Sequence, residues 1–163
     1  HPDKIIVEDS NSGYEFFNTI GQENNILCES AGGKSNIFSK LQSIGQETVC
    51  VIADGAAIGP EMNRLYEITE RKSNIVLYFP ESFEWLILKS GLVTDGDIKT
   101  ILQEPEEYIE SKDYFSWERY FTKLLIERTQ DTYLQYQKTK LNPVYLHDKI
   151  KHTIISVMQG IIL

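Results

Sequence analysis

The sequence predicts an α/β fold: a four-stranded parallel sheet with helices on both faces, followed by an all-helical C-terminal extension. Three observations lead there. Four short apolar, β-branched runs recur between residues 4 and 79, and each is followed by a stretch with helical spacing. The connections are short, which suits strand–helix–strand units with right-handed crossovers. After residue 91 the strand pattern stops and only helical spacing remains. The expected division is an α/β domain over 1–91 and a helical extension over 92–163. The extension should pack on the sheet domain, because its aromatic face needs a partner.

The first run, Lys4-Ile5-Ile6-Val7, ends in the polar turn Glu8-Asp9-Ser10-Asn11. Ser12-Gly13-Tyr14-Glu15 fits a capping box, in which Ser12 caps the N–H of Glu15 and the Glu15 side chain reaches back. The helix it opens carries Phe16, Phe17 and Ile20, with Gly21 as its stop. The second strand reads as Asn25-Ile26-Leu27-Cys28, followed by the loop Ser30-Ala31-Gly32-Gly33-Lys34-Ser35. Ile37, Phe38, Leu41 and Ile44 then form one apolar stripe, closed by Gly45. Thr48-Val49-Cys50-Val51-Ile52-Ala53 is the clearest strand and ends at Asp54-Gly55. Gly59-Pro60 opens a helix with Met62, Leu65 and Ile68 inward. The fourth strand is Asn74 to Phe79, and Pro80 starts a helix over Glu81 to Lys89, stopped near Gly91.

In the extension, Thr94-Asp95-Gly96-Asp97 reads as a helix start and Pro105 as the start of an acidic helical turn. A long helix is expected from about 116 to 138, with Trp117, Tyr120, Phe121, Leu124 and Leu125 on one face. Asn142-Pro143 is an N-cap and first-position pair for a last helix presenting Leu146, Ile150 and Ile154.

Composition excludes several classes. Of 163 residues, 41% are hydrophobic and 25% charged, which argues against disorder. No apolar run reaches the ~20 residues of a membrane-spanning helix. No signal-peptide pattern is visible at the start, so a cytoplasmic location is expected. The net charge of −8 excludes a strongly basic nucleic-acid footprint. The charge is uneven: residues 1–90 and 91–118 each carry net −6, while 119–163 carry net +4. Lys138, Lys140, Lys149 and Lys151 lie in that basic part, as a solvated face or as contacts to a phosphate backbone. Cys28 and Cys50 sit in apolar runs and read as buried thiols, with no CxxC or Cys/His cluster to suggest zinc.

In an open parallel sheet, ligand sites lie beyond the carboxyl ends of the strands. The residues there are Glu8 and Asp9, then Glu29 to Lys34, then Asp54 and Gly55, then Glu81 and Glu84. If the first and third strands are neighbours, Glu8 and Asp54 face each other. Clustered carboxylates repel unless they share a proton or bind a cation, and hard oxygen ligands suit Mg²⁺ or Mn²⁺. Gly32-Gly33-Lys34 reads either as a turn or as a phosphate-approaching loop. It is not a Walker A loop, because the earlier glycine of that motif falls at Cys28.

These residues resemble the Toprim domain of topoisomerases, bacterial primases and overcoming-lysogenization-defect (OLD) nucleases. The features are a strand ending in Glu8, a helix, and a strand ending in Asp54-Gly55. Ala31-Gly32-Gly33-Lys34-Ser35 is similar to the Gly-Gly-Lys loop of the OLD-type branch. Tyr78-Phe79-Pro80-Glu81-Ser82-Phe83-Glu84-Trp85-Leu86 resembles that branch's fourth strand and following glutamate. The resemblance covers roughly residues 4–90. It implies a Toprim/Rossmann-like sheet in a bacterial or phage protein. It also implies a Mg²⁺ site at Glu8 and Asp54, with Glu84 as a further ligand, and a phosphate contact at Gly32, Gly33 and Lys34. Position 56 carries alanine where the family's Asp-x-Asp has its second aspartate, and Asp9 stands where glycine is usual.

Three functions follow as expectations. The first is Mg²⁺-dependent phosphodiester cleavage or transfer on nucleic acid, with Glu8 and Asp54 as metal ligands or Glu8 as general acid or base. The second is a catalytically degenerate Toprim fold that binds nucleic acid or a protein partner. The third is another open α/β domain for a small phosphorylated ligand or a phosphorelay. Trp85, Trp117 and the tyrosine-rich C-terminal part supply either a dimer face or core packing.

Overall fold

The computed structural model describes residues 1–94, 96–103 and 117–163. Four strands, β1 (Lys4–Val7), β2 (Leu27–Ser30), β3 (Val49–Ile52) and β4 (Ile75–Tyr78), form one all-parallel sheet in the order β2-β1-β3-β4. The helices are α1 (Ser12–Glu23), α2 (Lys34–Gln42), α3 (Gly55–Ile58), α4 (Met62–Arg71), α5 (Phe83–Lys89), α6 (Ile98–Gln103), α7 (Trp117–Thr129) and α8 (Asp148–Ile155). Short 3₁₀ turns cover Gly59–Glu61 and Pro143–Leu146.

The sheet separates two apolar layers. Ile6, Val49, Val51 and Ile75 face Ile37 and Leu41 of α2, Ile58 of α3 and Leu65 of α4. Ile5, Val7, Cys50 and Ile52 face Phe16, Phe17 and Ile20 of α1 and Leu86 and Ile87 of α5. The same second layer includes Phe121, Leu124 and Leu125 of α7, then Tyr136, Tyr145 and Ile154. The helical extension therefore packs into the core of the sheet domain. Every β3 residue is buried, as expected for a central strand covered on both faces.

Several boundaries differ from the sequence reading, each for a local reason. Gly21 does not stop α1, which continues to Glu23. The glycine is needed instead for close approach: a Cβ there would lie 2.6 Å from the Ile26 carbonyl oxygen. Asn25 is not in β2, because it takes φ 57 in the turn, a conformation that asparagine tolerates. Pro80 does not open α5; the Ser82 hydroxyl caps that helix by accepting from the Trp85 N–H at 3.0 Å. Asn142 accepts from the Val144 N–H as foreseen, but it caps a 3₁₀ turn rather than the last helix.

The long helix expected to reach 138 ends at Thr129. The Thr129 hydroxyl donates to the Leu125 carbonyl and accepts from the Tyr136 N–H, turning the chain back on the helix end. The Pro105 turn, Asp95 and the Trp117 side chain lie outside the described residues. Trp85 is partly buried against the core. Lys151 is not part of a solvated face. It is buried and pairs with Glu23 and Asp148, tying α8 to α1.

Lys72 fastens the far side of the sheet. Its Nζ donates to the carbonyls of Leu41, Gln42 and Ile44 at 3.1, 3.1 and 2.7 Å, satisfying the C-terminal end of α2. Cys28 and Cys50 are free and buried on the two neighbours of β1, both in register with Ile5. Burial pushes both thiols up to about 12. Burial also raises the phenols of Tyr78, Tyr136 and Tyr145.

Two outcomes are expected. Gly21→Ala should lower unfolding free energy by about 1–3 kcal/mol in urea titration, because the added methyl meets backbone and not a side chain that can move away. The buried thiols and phenols hold their protons more tightly when folded. Their stabilising contribution is complete below the thiols' ordinary value of 9.0 and drains as pH rises towards about 12. The urea midpoint should therefore fall steadily above pH 9. A Cys28→Ala, Cys50→Ala double variant should show a shallower fall between pH 9 and 10.

Candidate functional site at the carboxyl edge of the sheet

Strand order dictates where a crevice forms. The chain leaves β1, passes through α1 and returns to β2 on one side. It leaves β3, passes through α3 and α4 and returns to β4 on the other. Right-handed crossovers running in opposite directions put α1 and α4 on opposite faces. Between them, at the carboxyl ends of β1 and β3, lies the switch point where open α/β sheets take ligands.

Glu8 and Asp54 both sit there. Glu8 follows β1 directly, and its N–H donates to the Ile52 carbonyl at 3.0 Å, extending the β1–β3 ladder. Asp54 follows Ala53 after β3 and precedes the first residue of α3. The Asp54 N–H donates to Glu8 Oε2 at 3.0 Å. The sequence-predicted pair thus meets across adjacent strand ends, both side chains half-buried. One carboxylate oxygen of Glu8 already accepts from the backbone that carries Asp54.

The Gly32-Gly33-Lys34 loop joins the same edge. Gly33 N–H donates to the Glu8 carbonyl at 2.8 Å, and Ala31 N–H donates to the Val7 carbonyl at 2.7 Å. The Ser30 hydroxyl donates to the Asp9 carbonyl at 2.6 Å and accepts from the Gly32 N–H at 3.1 Å. Gly32 and Gly33 have φ of 72 and 132; the second is a backbone shape that only glycine adopts without strain. Both turn and site readings of this loop are served by that geometry. Lys34 opens α2 and is exposed.

Glu84 is placed differently from a surface carboxylate. It lies in the first turn of α5 with 3% of its surface exposed, and its Oε1 accepts from the Tyr136 hydroxyl at 2.8 Å. Burial and the neighbouring Glu84 and Asp9 carboxylates hold the Tyr136 phenol far above its ordinary range. Asp9 lies close to this group: its Oδ1 accepts from the Asn11 N–H at 3.2 Å. A Cβ on Gly13 would lie 3.7 Å from that same oxygen. Among the described residues, no three His, Cys, Asp or Glu side chains gather into a group able to hold a metal ion.

Sequence reasoning missed what Ser12 and Glu15 do. They do not form the capping box. Ser12 is already inside α1; its hydroxyl donates to the Gln137 carbonyl at 2.7 Å and its N–H to the Lys138 carbonyl at 3.0 Å. Glu15 Oε2 accepts from the Leu141 N–H at 2.9 Å. The role of Tyr136 was missed as well. The one sequence signal was Glu84 itself, a lone carboxylate within the apolar stretch Phe83 to Leu88.

Comparison with family models, with curated proteins and with solved structures finds no match for this chain.

Glu8→Ala should cost about 1–3 kcal/mol of stability, because the half-buried Asp54 N–H loses its acceptor. Glu8→Gln keeps an amide oxygen at that position and should unfold within about 0.5 kcal/mol of wild type. Urea titration of the two variants separates these outcomes.

Proposed function

We propose that the carboxyl edge of β1 and β3 is a Toprim-like phosphate-ester site. It would hold one divalent cation, Mg²⁺ or Mn²⁺, through Glu8 and Asp54 and act on phosphodiesters of nucleic acid. The observation that carries this reading is the meeting of Glu8 and Asp54 at the ends of adjacent strands, where the strand order reverses. The donor set fits the ion: Mg²⁺ prefers hard oxygens, keeps several waters, and takes one or two carboxylates plus substrate phosphates. Such a site does not require a closed protein cage of three carboxylates.

When bound, the cation supplies Lewis-acid polarisation of a phosphate oxygen. The chain's own residues do the rest. Glu8 and Asp54 concentrate negative charge at the switch point. The Gly32-Gly33 turn and the Lys34 ammonium offer a backbone approach and a positive charge to the phosphate. The Asp54 N–H bond holds one oxygen of the Glu8 carboxylate beside the end of β3.

A second reading is a binding or regulatory protein of the same fold that does no chemistry, with nucleic acid or another protein as partner. One observation favours it: Glu84, the third acid implied by the Toprim resemblance, is engaged with Tyr136, while position 56 carries alanine. Bacterial or phage origin, a cytoplasmic location and self-association belong to the same proposal. Of location the fold itself says only that, among the described residues, no helix is long and apolar enough to cross a membrane.

Calorimetric titration with Mg²⁺ and Mn²⁺, with and without a short oligonucleotide, tests both readings. Saturable binding should weaken at least tenfold, about 1.4 kcal/mol, in both Glu8→Gln and Asp54→Asn. Metal-dependent cleavage of DNA or RNA should disappear in the same variants. Binding without cleavage selects the second reading. No binding by wild type at about 10 mM metal, with or without the oligonucleotide, removes the cation site.

A further inference from the structure

The residues that cross from the helical extension to the sheet edge form one buried polar clamp. The arm is the segment 134–141, which follows the turn after α7. Within it, Tyr136 is 2% exposed and donates its hydroxyl to Glu84, 3% exposed. Its ring packs 6.4 Å from Phe83 and edge-on to Tyr145 at 6.1 Å. The next residues cover the first turn of α1. The Gln137 and Lys138 carbonyls accept from Ser12, and the Leu141 N–H donates to Glu15. Ser12 is fully buried and stands three residues after Asp9.

This arrangement is more than an ordinary domain contact. A carboxyl group as buried as Glu84 costs several kcal/mol unless hydrogen bonds offset it, so its donor matters. Here the Tyr136 hydroxyl supplies one donor from 52 positions away in sequence. The same arm fixes the start of the helix that follows Glu8 and Asp9. One side chain, Tyr136, thus stands between the first turn of α5 and the β1–α1 turn.

We propose that Tyr136 is the positioning residue of the sheet's carboxyl edge. Through Glu84 and the backbone that follows it, Tyr136 clamps the C-terminal arm onto the β1–α1 turn that carries Glu8 and Asp9. The effect on cation binding rests on the function proposed above; the clamp itself does not. The C-terminal arm then belongs to the site, although it contributes no ligand. In metalloproteins, groups that orient ligands without touching the metal are worth about tenfold to a hundredfold in affinity.

Three proteins decide the matter: wild type, Tyr136→Phe and Glu84→Gln. The phenylalanine keeps the ring and removes the donor. The glutamine keeps an acceptor for Tyr136 and removes the charge. Amide hydrogen exchange is measured for residues 9–15 and, as an internal reference, for β3 and α2. Mn²⁺ affinity is measured alongside by titration.

In Tyr136→Phe, exchange over 9–15 should quicken about tenfold while β3 and α2 stay as in wild type, because local opening is separable from global unfolding. Mn²⁺ affinity should fall about tenfold or more in this variant. Glu84→Gln should leave exchange over 9–15 slow, which marks the hydrogen bond, not the charge, as the positioning element. Unchanged exchange over 9–15 in Tyr136→Phe overturns the proposal. So does a uniform acceleration that includes β3 and α2, which would make Tyr136 a general stabiliser. Accelerated exchange over 9–15 with intact Mn²⁺ affinity also overturns it, since the clamp would then not reach the site. If wild type itself takes no Mn²⁺, the cation reading fails, and the exchange pattern alone supports or overturns the clamp.

Discussion

The reversal of strand order between β1 and β3 is the constraint on which the rest of the structure depends. A parallel strand must be followed by a crossover, and right-handedness ties the direction of travel to a face of the sheet. Once β2 lies on one side of β1 and β4 on the far side of β3, α1 and α4 must lie on opposite faces. The carboxyl ends of the two central strands then lie at the switch point between those helices. The edge that carries Glu8 and Asp54 follows from topology, before any particular side chain is considered.

The two faces of the sheet are held differently. The α2–α4 side is a compact apolar layer closed at one end by Lys72, whose ammonium group gathers three carbonyls at the end of α2. The α1–α5 side is larger and is completed only by the helical extension, which contributes Phe121, Leu125, Tyr136, Tyr145 and Ile154 to one continuous core. The extension is therefore a structural partner of the sheet edge. A domain of this size has little stability to spare, so a layer shared between both parts makes their folding interdependent.

Polar groups inside that shared layer are few and all do connecting work. Among the described residues, Ser12, Ser82, Glu84, Thr129 and Lys151 are buried, and each makes a hydrogen bond to a segment distant in sequence or to a helix end. A buried donor or acceptor left without a partner costs more than a made bond gains. Such groups therefore specify which segments meet. Apolar burial holds the extension against the sheet, and the bonds of Ser12, Glu84, Thr129 and Lys151 fix its register.

Much of this was legible in the sequence. The four β-branched runs, the alternation with helices and the position of Glu8 and Asp54 after their strands depend on local pattern, which a chain displays in order. The burial of both cysteines and the packing of Phe121, Leu124 and Leu125 were readable in the same way, from apolar spacing. What local pattern could not supply was the destination of a polar side chain that has two partners to choose from. Ser12 and Glu15 have the spacing of a capping box, but the C-terminal arm offers them backbone groups in a partly buried setting, where a hydrogen bond is worth more than at an exposed helix end. Glu84 read as one of the acids at the strand ends, because the Tyr136 hydroxyl that it accepts from lies 52 residues away. Lys151 looked like one of four solvated lysines until α8 packed against Glu23 of α1. Strand and helix are determined by periodicity along the chain; the choice of a buried polar partner is decided only when distant segments exclude water from the same place.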